Sequence, residues 1–420
     1  MRGGGLLDYQ NWYRCRVNQD VVTSEIPFDE FKADPVRVGR QWRNQGAIVY
    51  SPDVDRWLVT GYDNVVAVLR APAAASGERG ESSQFLINRN GAHHREPRRG
   101  VLTGMASNIV GAFEPEIRSA SSASVLAALA EGHTDAVRSL SWSVSNNLFR
   151  LLFGGSNPDA RLRSGWNEGI TNHSFLDVPQ STQWLAARMG LRRAKRMLLD
   201  PSYQDYQAVR RYVEHHFMVS KDAIYVTPLT RALLDLHASG TLTREDLTAI
   251  GAEFVFATSE APSAMLSGLL MRLVADQDLY HKMREDFALI EPFVEEVLRF
   301  ESPAQWLRRT LVDDLEIGGV LLPRGAVLLA LVSSANRDEE KFANADQFDS
   351  GRTPNPHIAF GMGPHSCPGA RLARLEARIF LEEFLKHVSS LQRQNPNELD
   401  HYRWVFAVRS LSRLNVSITA

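Results

Sequence analysis

The run Phe360-Gly-Met-Gly-Pro-His-Ser-Cys-Pro-Gly369 constrains this chain more than any other stretch. A glycine-rich turn there delivers one cysteine, Cys367, to the start of a helix expected over about Ala370 to His387. Backbone N–H groups and the positive end of a helix dipole favour an anionic sulfur at such a place. Gly361, Gly363 and Gly369 let the backbone pass under a flat ligand without Cβ collisions. Other uses of these residues fit less well. A buried cysteine is often only a small hydrophobe, and a zinc site from His357, His365 and Cys367 lacks a clear fourth ligand. A dinucleotide fingerprint fails because Ser366 stands where its third glycine belongs, and no serine elbow is present. The spacing suits a single thiolate ligand to an iron porphyrin.

Composition removes several other classes. Among 420 residues, 47 Lys and Arg balance 49 Asp and Glu, for a net charge of −2. No basic excess exists for nucleic acid or for an anionic membrane surface. Two cysteines, Cys15 and Cys367, rule out a disulfide framework and a cysteine-rich cluster, and a reducing, cytoplasmic setting follows as the expectation. The longest apolar run, Ala326 to Val332, is too short for a bilayer, which takes ~20 apolar residues, so the chain is expected to be soluble.

Residues 1–27 read as an irregular lead-in. Ala47–Tyr50 and Arg56–Thr60 read as a hairpin, Asp63 as the N-cap of a helix to Arg70, and Ala71–Gly91 as a mobile loop. From Arg95 to about Val274 the pattern is mostly helical. After Phe300, short β-type runs appear at Leu307–Val312, Gly319–Leu322 and Ala326–Val332, and Trp404–Ile418 alternates like a strand pair. The fold class is therefore mainly α with a smaller β portion split between the two ends, and residues 28–420 are expected to form one domain. One helix starts near Thr243, with Asp246 as a capping-box partner, and runs to about Ala275, a rod of about 48 Å at ~1.5 Å per residue. Another opens at Glu291-Pro292 and carries Glu296 and Arg299 on one face.

The Phe360–Gly369 run resembles the haem-binding signature of cytochrome P450, matching its Phe, Gly, Gly, His365, Cys and Gly positions. Glu296 and Arg299 are similar to that family's Glu-x-x-Arg helix, and Arg352 to the arginine that completes its buried ion-pair network. The resemblance runs from about residue 28 onward. It implies a soluble bacterial-type fold with haem b between the long central helix and the Cys367 loop, and Cys367 as the metal ligand. His94 and Arg98, Arg309 and His357 match the family's propionate partners, with Phe360, Gly361, His365 and Gly369 beside the haem. Electrons are expected from NAD(P)H through an external ferredoxin or flavodoxin, with Arg371, Arg374 and Arg378 as a basic docking face.

One departure stands out. The family's oxygen-activation segment reads here Ala257-Thr-Ser-Glu-Ala-Pro-Ser263. Glu260 takes the acid position, but Ala261 takes the position of the alcohol that helps deliver protons. Pro262, lacking an N–H, should open the helix at Thr258. Thr258, Ser259, Ser263 or a substrate hydroxyl could relay protons instead. Alternatively, the reaction is one of secondary metabolism without oxygen insertion, such as radical coupling of an aromatic, amino-acid or cyclic-dipeptide derived substrate. A haem-binding protein without turnover is the third reading. Glu253, Phe256, Ala257 and Glu260 share one helix face and are expected near substrate. Ala304, Gln305 and Trp306, then Trp404 and Val405, should approach from other sides, with Phe85 and Leu86 as a lid. An aromatic cavity is the expectation.

Overall fold

The computed structural model describes residues 22–76, 85–154, 201–220 and 226–420. Two compact units emerge, each assembled from separate stretches of chain. The first draws on Met1–Glu81, Ala304–Phe348 and Asn355–Cys367, the second on Ser82–Pro303, Asp349–Pro354 and Pro368–Ala420.

In the first unit the expected hairpin forms from Ile48–Ser51 and Arg56–Val59, with Ile48 opposite Val59 and Ser51 opposite Arg56. It belongs to a six-stranded sheet in the order Val22–Thr23, Ile48–Ser51, Arg56–Val59, Val327–Ala330, Leu307–Leu311, Ala74–Ala75. Two of these strands correct the sequence reading. Val22–Thr23, placed in the irregular lead-in, pairs in parallel with Val49–Tyr50. Ala74–Ala75, placed in a loop, pairs with Leu311 and Thr310. Both are too short and too small-sided to show the alternation that marks a strand. The rest of the lead-in, residues 1–21, and residues 77–84 of the loop lie outside the described residues.

Helix α1 (Tyr62–Arg70) lays Val65, Val68 and Leu69 on the core that also holds Val59, Leu311 and Leu328. Its N-cap is Gly61 and not Asp63, which sits inside the first turn. The orphan N–H of Tyr62 is met from far along the chain, by Asp338 Oδ2 at 2.8 Å.

The second unit is mostly helical. Its main helices are α2 (Gly91–Gly104), α3 (Glu114–Glu131), α4 (Pro228–Ala238), α5 (Arg244–Ala257), α6 (Glu260–Ala275), α7 (Ile290–Glu301) and α8 (Ala370–His387). The capping box before α5 is complete: Thr243 Oγ1 accepts from Asp246 N and Asp246 Oδ2 accepts from Thr243 N. The stretch Arg244–Ala275 is long and apolar enough by composition to cross a bilayer, but 83% of its most apolar window is buried inside the protein. It is a core rod, not a membrane span. The C-terminal alternation resolves into a hairpin, Tyr402–Val405 with Val408–Leu411, and a separate strand, Asn415–Thr419. That last strand leaves the hairpin to lie between Ser390–Arg393 and His133–Asp135.

Helix α2 reaches α4 through glycine. A Cβ on Gly104 would stand 2.4 Å from Leu229 Cα and 2.9 Å from its backbone nitrogen, neither of which can swing aside. Gly104→Ala should therefore push α2 off α4 and cost about 3 kcal/mol. Urea unfolding of the variant measures it, and a shift under ~0.5 kcal/mol would refute the close-approach argument.

Candidate haem-binding and oxidation site

The Cys367 loop in the first unit is shaped by its own backbone. Gly361 N donates to Ile358 O, and Cys367 N donates back to Phe360 O at 2.8 Å, closing a tight loop. Gly361 and Gly363 have φ of 68° and 74°, values open to glycine at little cost. At Gly363 a Cβ would also meet Leu69 O at 2.6 Å. Gly369, by contrast, has an ordinary φ of −83° as the N-cap of α8, so its conformation alone does not require glycine. Cys367 is exposed and His365 half-buried. His357 is also half-buried, and its Nδ1 accepts from Ala359 N.

Glu296 and Arg299 are both fully buried on α7, 2.7 Å apart at the closest. Arg299 donates through Nε to Oε2 and through Nη2 to Oε1 of the carboxylate. Arg352 Nε reaches both oxygens at 3.2 Å, and the Asp349 N–H donates to Oε1 at 2.9 Å. Four donors on one buried carboxylate repay its desolvation. The i, i+3 spacing made the Glu–Arg pair legible, whereas the Asp349 amide carried no sequence signal.

A haem brings two anionic propionates, and the candidate partners suit them. Arg309 is 3% exposed; among the described residues no carboxylate pairs with it, and its Nη1 donates to Arg308 O. Burial alone pulls its pKa down to about 10, the mark of a guanidinium lacking an anion. His94, buried in the second unit, is pushed down to about 4 by burial and by the Arg98 and Arg89 charges. These cationic surroundings fit an anionic group, so the donor set suits haem.

The central helix breaks where proline predicts. α5 ends at Ala257 and α6 begins at Glu260, with Thr258 and Ser259 between them. Ser259 N reaches back only three residues, to Phe256 O. The hydroxyls at the break are committed: Thr258 Oγ1 donates to Phe254 O, and Ser259 Oγ to Val255 O and Phe256 O. Glu260 is fully buried and accepts from Arg403 Nη2 at 2.8 Å, while the Arg403 guanidinium lies 5.1 Å from the Trp142 ring centroid. Sequence reasoning named Trp404 and Val405 but missed Arg403. The signal existed, since a buried acid needs a cation and strand alternation puts residue 403 on the face of residue 405.

Several expected pocket residues have structural contacts of their own. Trp306 is 8% exposed and packs edge-on against Phe28 at 5.2 Å and against Phe31 at 6.2 Å, so it is core of the first unit. Phe85 and Leu86 are buried in the main cluster of the second unit, against which Phe256 packs. Glu253, expected to receive a substrate N–H, already accepts from Leu86 N at 2.8 Å. Gln305 is buried, and its backbone carbonyl accepts from Ser333 N. Ala304 and Trp404 are half-buried, Ala257 is exposed and Val405 is buried. Phe406 at the hairpin tip holds φ 54° and packs on the main cluster, a placement no sequence pattern marked.

The expected basic face is largely neutralised. Arg374 is bonded twice to Glu295, at 2.6 and 2.8 Å, and Arg378 joins Glu382 and Glu114. Arg371 donates to Ser107 Oγ. The three arginines line a hollow of about 500 Å³ that also holds Glu291 and Glu295.

Known proteins resemble this chain in sequence and fold. The family model for Cytochrome P450 matches residues 40–412. Cytochrome P450 109 of Bacillus spizizenii is 25% identical over 89% of this chain and 90% of its own length. Cytochrome P450 monooxygenase PikC of Streptomyces venezuelae is 27% identical over 89% of this chain and 88% of its own. Among solved structures, CxnD, a cytochrome P450 enzyme for C–S bond formation in chuangxinmycin biosynthesis, superposes with a TM-score of 0.82 at 18% identity, covering 96% of this chain and 98% of that one. With a family match across nearly the whole chain and a fold shared at that level, this chain belongs to the cytochrome P450 family of haem b-dependent oxidoreductases.

Proposed function

We propose that the chain oxidises a small apolar molecule, with Cys367 as the thiolate on the haem iron and Glu260, in place of a helix alcohol, as the proton-handling group. Bound haem b supplies one-electron and oxygen chemistry, fed by electrons from an external donor of the ferredoxin or flavodoxin type. Arg309, His94 and Arg98 are the residues that would hold the propionates. Glu296, Arg299 and Arg352 keep the proximal fold and take no part in the reaction.

The observation that carries the reading is the Glu260–Arg403 pair beside Ala261. Glu260 opens α6, where the helix dipole favours its negative charge. Arg403 pairs with that carboxylate and is itself 37% exposed in its side chain, so the pair connects the interior with solvent. Exchange of a proton between solvent and the Glu260 carboxylate then needs no hydroxyl at position 261.

A second reading, radical coupling of an aromatic or cyclic-dipeptide substrate, is favoured by the same break. Ala261 has no hydroxyl, and those of Thr258 and Ser259 already donate to helix carbonyls. The packing of Trp306 into the core, however, takes away part of the aromatic lining on which that substrate class rested.

Two measurements test these readings. Ferrous protein with carbon monoxide should give the red-shifted Soret band of thiolate ligation, abolished in Cys367→Ala; a band surviving that substitution would overturn the ligand assignment. Titration of the ferric protein separates the substrate readings by its iron spin-state change. The tightest response to an aromatic cyclic dipeptide supports coupling, and to testosterone or a fatty acid, ordinary hydroxylation.

A further inference from the structure

Glu253 and Asp246 lie seven residues apart on α5 and so on one face of it. Both reach the same short segment. Glu253 Oε2 accepts the backbone N–H of Leu86 at 2.8 Å and that of Ile87 at 3.4 Å. Asp246 forms an ion pair with Arg89, whose side chain is 8% exposed. The segment between, Leu86–Asn88, is a single helical turn whose first N–H groups have no partner within the turn itself. One helix face thus holds the segment at two points, at its backbone and at its last side chain.

We propose that Glu253 is a positioning residue which, with Asp246 as second anchor, latches the Phe85–Arg89 segment onto the central helix and so fixes what fits beside Phe85 and Leu86. The second half rests on the sequence expectation that Phe85 and Leu86 form a lid over the substrate space.

The latch has an unusual energy balance. The charged groups around Glu253 are Arg89 on the segment, Arg98 on α2 with buried His94 beside it, and Asp246 on its own helix. Burial outweighs the two N–H bonds and both arginines, and raises the Glu253 pKa from 4.5 to about 7. A raised carboxyl pKa means that this group's contribution to stability is fully present below pH 4.5 and is lost as pH rises through about 7. The N–H bonds behave oppositely, because a carboxylate is a stronger acceptor than a neutral carboxyl. Lifting of the segment alone breaks the N–H bonds while α5 keeps Glu253 in the interior, so the segment should tighten as pH rises from 6 to 8; global unfolding hydrates the carboxyl, so overall stability falls up to about pH 7. A merely structural hydrogen bond would not give these opposite slopes.

Hydrogen exchange of the haem-loaded protein reads the latch directly. After correction for intrinsic rates, the Leu86 and Ile87 amides should exchange more slowly at pH 8 than at pH 6. Glu253→Gln should remove that pH dependence and speed their exchange at pH 8 by roughly tenfold, and Glu253→Ala by up to ~100-fold. Over the same pH range Glu253→Gln should resist urea better than the parent at pH 8. Equal protection in parent and Glu253→Gln, or a parent without pH dependence, overturns the latch. Binding of 4-phenylimidazole, followed by the haem spectrum, tests the second half: a several-fold change of Kd in Glu253→Gln at pH 8 supports it, and an unchanged Kd with faster exchange overturns it. A protein without any haem spectrum would fail the functional reading, while the exchange data would still decide the latch.

Discussion

Glu296→Ala should cost about 3–5 kcal/mol of folding stability, because it leaves two buried guanidinium groups without their carboxylate. Arg299 is fully buried and Arg352 nearly so, and the Asp349 N–H loses its acceptor as well. Glu296→Gln should recover little. Its oxygen can still accept, but its NH2 would face donors that need an acceptor. The informative partner is the double variant Glu296→Leu with Arg299→Met, which removes both charges and should regain part of the loss. Urea unfolding of the haem-loaded proteins measures this. A cost under ~1 kcal/mol for Glu296→Ala would mean that the network is not an important support of the fold.

Glu376→Gln should stabilise the protein in alkali, by about 4 kcal/mol near pH 9. Glu376 is 0% exposed on α8, and among the described residues neither of its oxygens makes a well-formed hydrogen bond. Burial raises its pKa from 4.5 to about 8, outweighing the opposing effect of the Ser145 hydroxyl. The native state therefore keeps this proton between about pH 4.5 and 8, where the unfolded chain has released it. Stability from this group is complete below pH 4.5 and declines as pH rises through about 8, and glutamine removes the decline. Unfolding free energies from pH 5 to 9 should show the parent falling away from a flatter variant. Parallel curves would contradict the assignment of a neutral buried carboxyl.

The sequence was most readable where one short stretch contains its own reasons. The Cys367 loop needs glycines for its positive φ values, and α8 then runs over the expected residues. The capping box at Thr243 and the break before Glu260 follow from hydrogen-bonding groups within four residues of one another. The Glu296–Arg299 pair was legible for the same reason. Less readable was the cap of α1, where Asp63 looked suitable but Asp338, some 275 residues away, supplies the carboxylate that receives the Tyr62 N–H.

Pocket residues fared worst. A helix face or strand alternation says which side chains point the same way, not what meets them there. Glu253 was expected near substrate, and its Oε2 accepts from the Leu86 N–H. Trp306 was expected to approach the haem, and it packs edge-on against Phe28 and at a tilt against Phe31. The arginines after Cys367 were read as a cationic face, and Glu295, Glu114 and Glu382 neutralise much of it.

By itself the sequence determined the glycine turns of the Cys367 loop, the proline break and the loss of a hydroxyl at position 261, because backbone sterics and missing donors act within a few residues. Only the tertiary structure decided that Arg403 faces Glu260, that Arg352 and the Asp349 amide complete the Glu296 cluster, and that Glu376 is fully buried with no cation paired to it among the described residues. Desolvation and ion pairing depend on what packs against a group, and those neighbours come from distant parts of the chain.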